Sequence, residues 1–182
     1  MRLAIGSADP DQLRAEVLYW RAAATVLAVT VAVGVLQAVL WSRIAPGEQY
    51  QVTAAGQPIK LPTESFHQFT SIAVFLLLGV VAGVFLATLT WHWRRVRSPV
   101  LLVTVVGANA LGALTAYLLS RLLAPGVDPT AVGSSAADSL VTAPPTLGNA
   151  MVIILQPALA VALYTFLVLW NGQPDLGTTG ER

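Results

Sequence analysis

Two residues outside the apolar runs stand at a spacing that could do chemistry. Glu64 and His67 are three apart, which puts them on one face of a helix, where a carboxylate and an imidazole can share a proton or a metal ion. The plainer reading makes Thr63 an N-cap, Glu64 a first-turn acid favoured by the helix dipole, and His67 an interfacial polar group. No nucleophile or further ligand stands at a telling distance, so this reading leaves no catalytic residue and no metal site. The remaining candidates outside the apolar runs are Asp128 and Asp138. A second set lies inside the runs, where Gln37, Asn109 and Gln156 are amides that can hydrogen-bond between helices or line a polar pathway. A pathway for ions or protons usually carries an ionisable group within a span, and these runs hold none in their interiors.

The elements that must position these residues are membrane spans. Of 182 residues, 55% are hydrophobic and 10% charged, against about 25% charged in a soluble domain. Crossing a bilayer takes about 20 apolar residues in a helix. Four apolar runs meet that length, Ala22–Ser42, Phe69–Trp93, Ser98–Ser120 and Leu147–Trp170, set in span elements 21–45, 65–93, 98–123 and 147–170. The expected fold is therefore an all-α integral membrane protein, a four-transmembrane-helix bundle. Around the spans lie an N-terminal cytoplasmic segment with an interfacial helix (1–20), a basic cytoplasmic turn (94–97) and a cytoplasmic tail (171–182). Two outer loops, 46–64 and 124–146, complete the chain. Net charge is +1, without the basic field that nucleic acid requires, and the absence of cysteine removes disulfides and thiolate chemistry. No cofactor motif is present.

Orientation follows the distribution of Lys and Arg. With both termini cytoplasmic, the inside holds Arg2, Arg14, Arg21, Arg94, Arg95, Arg97 and Arg182, and the outside only Arg43, Lys60 and Arg121. All five tryptophans fall at span ends, where an indole keeps its ring apolar and its N–H wet. In the first outer loop, alternation on either side of Ala54-Ala55-Gly56-Gln57-Pro58 predicts a small β-hairpin. Two strands alone are marginal, so it must lie on the membrane, on the other loop or on a partner. The second outer loop reads as irregular, with a helical turn near 135–140. The turn 94–97 is short enough to make the second and third spans antiparallel neighbours. Pro157 predicts a kink in the fourth span.

Small residues recur at four-residue spacing. They are Gly79, Gly83 and Ala87 in the second span, Ala108, Gly112 and Ala116 in the third, and Ala24, Ala28 and Ala32 in the first. Such rows let helix backbones approach closely, within the bundle or between chains. The first and third spans end alike, in Ser42-Arg43-Ile44-Ala45-Pro46-Gly47 and Ser120-Arg121-Leu122-Leu123-Ala124-Pro125-Gly126, and Pro-Thr precedes both the second and the fourth. This is either a tandem repeat of one helical hairpin about a pseudo-twofold along the membrane normal, or convergence on common span-end chemistry.

The combined pattern resembles a small actinobacterial family of four-helix membrane proteins of unknown function. It is carried by Leu40-Trp41-Ser42-Arg43-Ile44-Ala45-Pro46, Glu64-Ser65-Phe66-His67-Gln68-Phe69, the Trp91–Arg97 turn, the Gly107–Gly112 segment and Gln156-Pro157. The resemblance covers residues 20–171 and implies no activity. Four-helix multidrug exporters depend on a membrane-embedded carboxylate that this chain lacks. The resemblance of Val106–Gly112 to small fluoride channels is faint. The expected role is a non-enzymatic accessory or scaffold subunit of an inner-membrane or cell-envelope complex, embedded in lipid and bound to a protein partner as a hetero- or homo-oligomer. The alternative is a small-solute channel or transporter working as an oligomer, and an extracytoplasmic enzyme using Glu64 and His67 is a third possibility.

Overall fold

A computed structural model describes residues 10–62, 64–91, 99–132 and 138–171. Its elements are α1 (Pro10–Ile44), β1 (Glu48–Val52), β2 (Pro58–Lys60), α2 (Glu64–Trp91), α3 (Pro99–Leu123), the single turn α4 (Pro129–Val132), β3 (Leu140–Ala143), a 3-10 helix (Ala150–Ile154) and α5 (Leu155–Asn171). Four helical stretches are long and apolar enough to cross a membrane: Ala23–Ile44, Phe66–Trp91, Val103–Leu123 and Ala150–Trp170. This is the architecture of a multi-pass membrane protein. The segments 1–9, 92–98 and 172–182, which include the basic turn, His92 and Trp93, lie outside the described residues, as does Thr63.

α1 is unbroken for 35 residues, about 52 Å at 1.5 Å per residue, well beyond the ~30 Å apolar core of a bilayer. Its first turns therefore extend past the span, with Val17 and Trp20 exposed. The tightest helix pairs are α1 with α3 and α2 with α5; α3–α5 and α1–α2 come next, and α2 meets α3 only marginally. Around the bundle the order is thus α1, α3, α5, α2. Two expectations are corrected here. The short turn does not make α2 and α3 close neighbours, because α3 is drawn onto α1. Nor does the order suit a twofold along the bundle axis, which would set α1 across from α3 and α2 across from α5.

The α1–α3 contact is backbone on backbone. A β-carbon on Gly34 would overlap the Gly112 carbonyl, and one on Gly112 would lie 2.7 Å from Thr30 Cγ2 and 2.9 Å from the Thr30 carbonyl oxygen. The buried row on α1 is accordingly Val26, Thr30, Gly34 and Ala38, while Ala24, Ala28 and Ala32 face outward, a correction to the expected packing face. On α2, Gly83 closes on α5 so tightly that a β-carbon would sit 2.8 Å from the Gln156 carbonyl oxygen.

Toward one end the core gathers Trp41, Phe75, Ala116 and Leu147. The Trp41 and Phe75 rings meet edge to face at 6.3 Å. Trp41 is fully buried, and its indole N–H donates to the Ser71 carbonyl at 2.8 Å. The expectation of a wet indole fails for this residue, because Ser71 supplies the acceptor water would otherwise provide. Trp20 and Trp170 are exposed at their span ends.

Pro157 does not kink a long helix. It is the third residue of α5, preceded by the 3-10 turn Ala150–Ile154. With no N–H to give the Ile153 carbonyl, and a ring that crowds that carbonyl, proline tightens the turn before it and starts the α-helix.

Both inter-span loops at this end join one three-stranded sheet in the order β2-β1-β3. The expected hairpin forms, with Val52 opposite Pro58 and Gly56 at φ 77° in the turn. Its support is the other loop, since β3 pairs antiparallel with β1 from Glu48↔Ala143 to Gln51↔Leu140. The second loop is therefore not irregular throughout. Among the described residues it forms a helical turn at Pro129–Val132, and Leu140 begins a strand; residues 135–137 of the turn expected near 135–140 lie outside the described residues. The repeated Ala-Pro-Gly endings acquire a local reason. A β-carbon on Gly47 would lie 2.8 Å from the Ala143 carbonyl oxygen, and Gly126, at φ 150°, presses on Ala143 and Pro144 from the end of the third span. Each glycine lets a span end approach the same strand closely.

Candidate functional site at the capped end

The alternation of β1 turns Glu48, Tyr50 and Val52 inward and leaves Gln49 and Gln51 exposed. Glu48 is thereby 2% exposed, and a carboxylate in such a place must be paired. Its Oε2 accepts from Lys60 Nζ at 2.8 Å and from the Tyr50 hydroxyl at 3.2 Å. Its Oε1 accepts from the Thr146 hydroxyl at 2.7 Å, across 98 residues of sequence. Burial alone would raise the Glu48 pKa. The hydrogen bonds from Lys60, Thr146 and Tyr50, with the Lys60 charge, outweigh it and hold the carboxyl below its ordinary value. Neither oxygen lacks a donor, so the group works as a clamp across β2, β1 and the segment after β3 rather than as a free base. Ser71 extends the clamp to α2, its hydroxyl donating to the Pro46 carbonyl at 3.0 Å.

Glu48 is absent from the candidates drawn from sequence. The available signal is its place two residues before Tyr50 and four before Val52, an acid on the inward face of a strand. Asp128 and Asp138, which were candidates, build turns. Asp128 Oδ1 accepts from the Thr130 amide at 2.9 Å and hydroxyl at 2.7 Å, which lowers its pKa. Asp138 takes a positive φ of 60°, and its amide donates to the Val52 carbonyl at 2.8 Å. Glu64 opens α2, and His67 lies half-buried one turn later with a partner of its own. Among the described residues no group of three or more His, Asp or Glu could hold a metal ion.

Within the spans, Gln37, Asn109 and Gln156 are all buried. The Gln156 amide approaches Asn109 Oδ1 at 3.5 Å, Asn109 Nδ2 donates to the Val105 carbonyl at 2.9 Å, and Gln37 Nε2 reaches the Phe75 carbonyl at 3.4 Å. Gly79 lies beside the two glutamines, its β-position 3.6 Å from Gln37 Nε2 and 3.8 Å from Gln156 Cβ. Gln37 Oε1 and Gln156 Oε1 have no partner. The six small residues Gly79, Gly83, Ala87, Ala108, Gly112 and Ala116 are all buried within the bundle.

The family model described as "Protein of unknown function (DUF2567)" matches residues 30–178. That range takes in the sheet, the Glu48 clamp and the buried amides. No curated protein and no solved structure matches the chain.

Proposed function

Since the chain belongs to the DUF2567 family, whose function is unknown, we propose from its geometry that it is a non-enzymatic accessory or scaffold subunit of a bacterial plasma-membrane or cell-envelope complex. Both termini lie in the cytoplasm, by the Lys and Arg bias, and the sheet faces outward as a docking platform. The observation that carries this reading is the exposed face of the sheet. Ile59, Gln51 and Leu140 form one rung across β2-β1-β3, with Ile59 56% and Leu140 65% exposed. Two large apolar side chains on a face braced from below by the buried Glu48 carboxylate and its Lys60 partner suit a protein contact better than a reaction. Because the chain has no cysteine, Gln51→Cys gives a single attachment point for a crosslinker in whole cells. The expected result is one dominant adduct of fixed mass, which disappears when Ile59→Asp and Leu140→Asp are added while the melting temperature in detergent holds. An adduct that survives the double substitution, or no adduct, rejects the docking role.

A second reading, an oligomeric small-solute channel, rests on the three buried amides and their two unpaired acceptors. It requires that solute flux in proteoliposomes fall by about tenfold or more in Asn109→Leu, the order expected when a buried amide loses its hydrogen-bonding role. Flux unchanged by that substitution, or no flux, removes it.

A further inference from the structure

Beside the clamp, at the capped end of the bundle, lies a half-open cavity of about 330 Å³. Tyr117, Arg121 and Ala124 form one wall and residues 144–148 the other. The volume falls within the roughly 300–1,000 Å³ of small-ligand clefts. The cavity is cationic. Arg121 is exposed, and no carboxylate among the described residues pairs with it. Glu48 stands behind the wall, hydrogen-bonded to Thr146 and already paired with Lys60 at 2.8 Å. The Arg121 guanidinium lies 5.8 Å over the Tyr117 ring. A guanidinium held by one face on an aromatic ring keeps its edge of N–H donors for an anion, and that planar fork matches phosphate oxygens. The pair sits in the last two turns of a span that ends at Leu123, the level at which a bilayer presents its headgroups.

We infer that this cavity is a binding site for a phosphate ester, presented by the headgroup of an anionic phospholipid. The Arg121 fork takes the phosphate, the Tyr117 ring fixes the fork, and the 144–148 wall limits the size of the group esterified to the phosphate. Arg43 supplies an internal control. It is the matching arginine at the end of α1 and is also exposed, but it does not line this cavity. A snorkelling arginine drawn to any phosphate would behave the same at both positions.

The test is native mass spectrometry of the full chain released from nanodiscs of mixed phosphatidylglycerol and phosphatidylcholine. Wild type is expected to retain one phosphatidylglycerol. Arg121→Gln should weaken that retention about tenfold or more, the order expected for losing a charge-assisted contact. Arg43→Gln should retain the lipid, and the melting temperature of Arg121→Gln in lipid-free detergent should match wild type, showing that the fold is intact. Added glycerol phosphate distinguishes the source of the ester. Failure to displace the lipid at millimolar concentration supports the headgroup, whereas displacement by the soluble ester overturns the lipid assignment. Equal losses in Arg121→Gln and Arg43→Gln, or no preference for phosphatidylglycerol over phosphatidylcholine, overturn the site itself.

Discussion

Gly112→Val is expected to destabilise the bundle by at least the ~1–3 kcal/mol typical of an overpacked core. Its β-carbon alone would stand 2.7 Å from Thr30 Cγ2 and 2.9 Å from the Thr30 carbonyl oxygen. The methyl could rotate away, but the carbonyl belongs to the α1 backbone and can yield only if the helices separate. Separation would loosen the contact on which the remaining packing depends, since α1–α3 is the tightest pair in the molecule. In lipid there is no hydrophobic drive to restore it, and close van der Waals contact is what holds helices together. Ala28→Val on the outward face of α1 makes the comparison, with an expected change within about 0.5 kcal/mol. Thermal unfolding in a mild detergent measures both, and equal melting temperatures for the two variants would refute the Gly34–Gly112 contact.

Glu48→Gln should release the cap. The side chain keeps its shape but loses the Lys60 ion pair and the charge that strengthens the Thr146 and Tyr50 hydrogen bonds. Hydrogen bonds to a charged group contribute about 1.5–3 kcal/mol each at most, and Lys60 is 37% exposed and can return to water, so a total near 2–3 kcal/mol is expected. The effect carries a pH signature. The Glu48 pKa is depressed in the folded cap, so its contribution is fully present above the unfolded value of about 4.5 and is lost as pH falls through the lower folded value. Val52 is fully buried and the chain has no native cysteine, so Val52→Cys reports opening through its rate of thiol labelling by a reagent active in acid. Labelling should accelerate below about pH 4.5 with Glu48 in place and be fast and nearly flat in Glu48→Gln. Identical pH profiles would remove Glu48 from the clamp.

The spans could be read from the chain because twenty apolar residues in a row admit few other fates. The faces they pack with could not. α1 offers small residues at four-residue spacing both at Ala24, Ala28 and Ala32 and at Thr30, Gly34 and Ala38, and only the partner helix decides which row is buried. Trp41 at a span end satisfies the rule for interfacial tryptophan and departs from it because Ser71, thirty residues away, accepts its N–H. β3 is four residues long and has no pairing signal of its own, since its partner lies some ninety residues upstream. Glu48 shared that fate. Its importance depends on Thr146, and a contact across 98 residues leaves no periodic trace. Gly56 in the hairpin turn, by contrast, acts locally and was readable.

The clamp also has a meaning in time. When the ribosome has delivered β1 and β2, the second edge of β1 is unpaired, and it stays so until two more helices have entered the membrane. Closure then needs β3 and Thr146 to arrive on the same side as Glu48. A chain in which the third span had entered backwards would strand them across the bilayer, with a carboxylate short of a donor and a strand edge open to quality-control proteases. The closed sheet therefore records that both spanning helices between β2 and β3 crossed the membrane and brought the chain back to the same side.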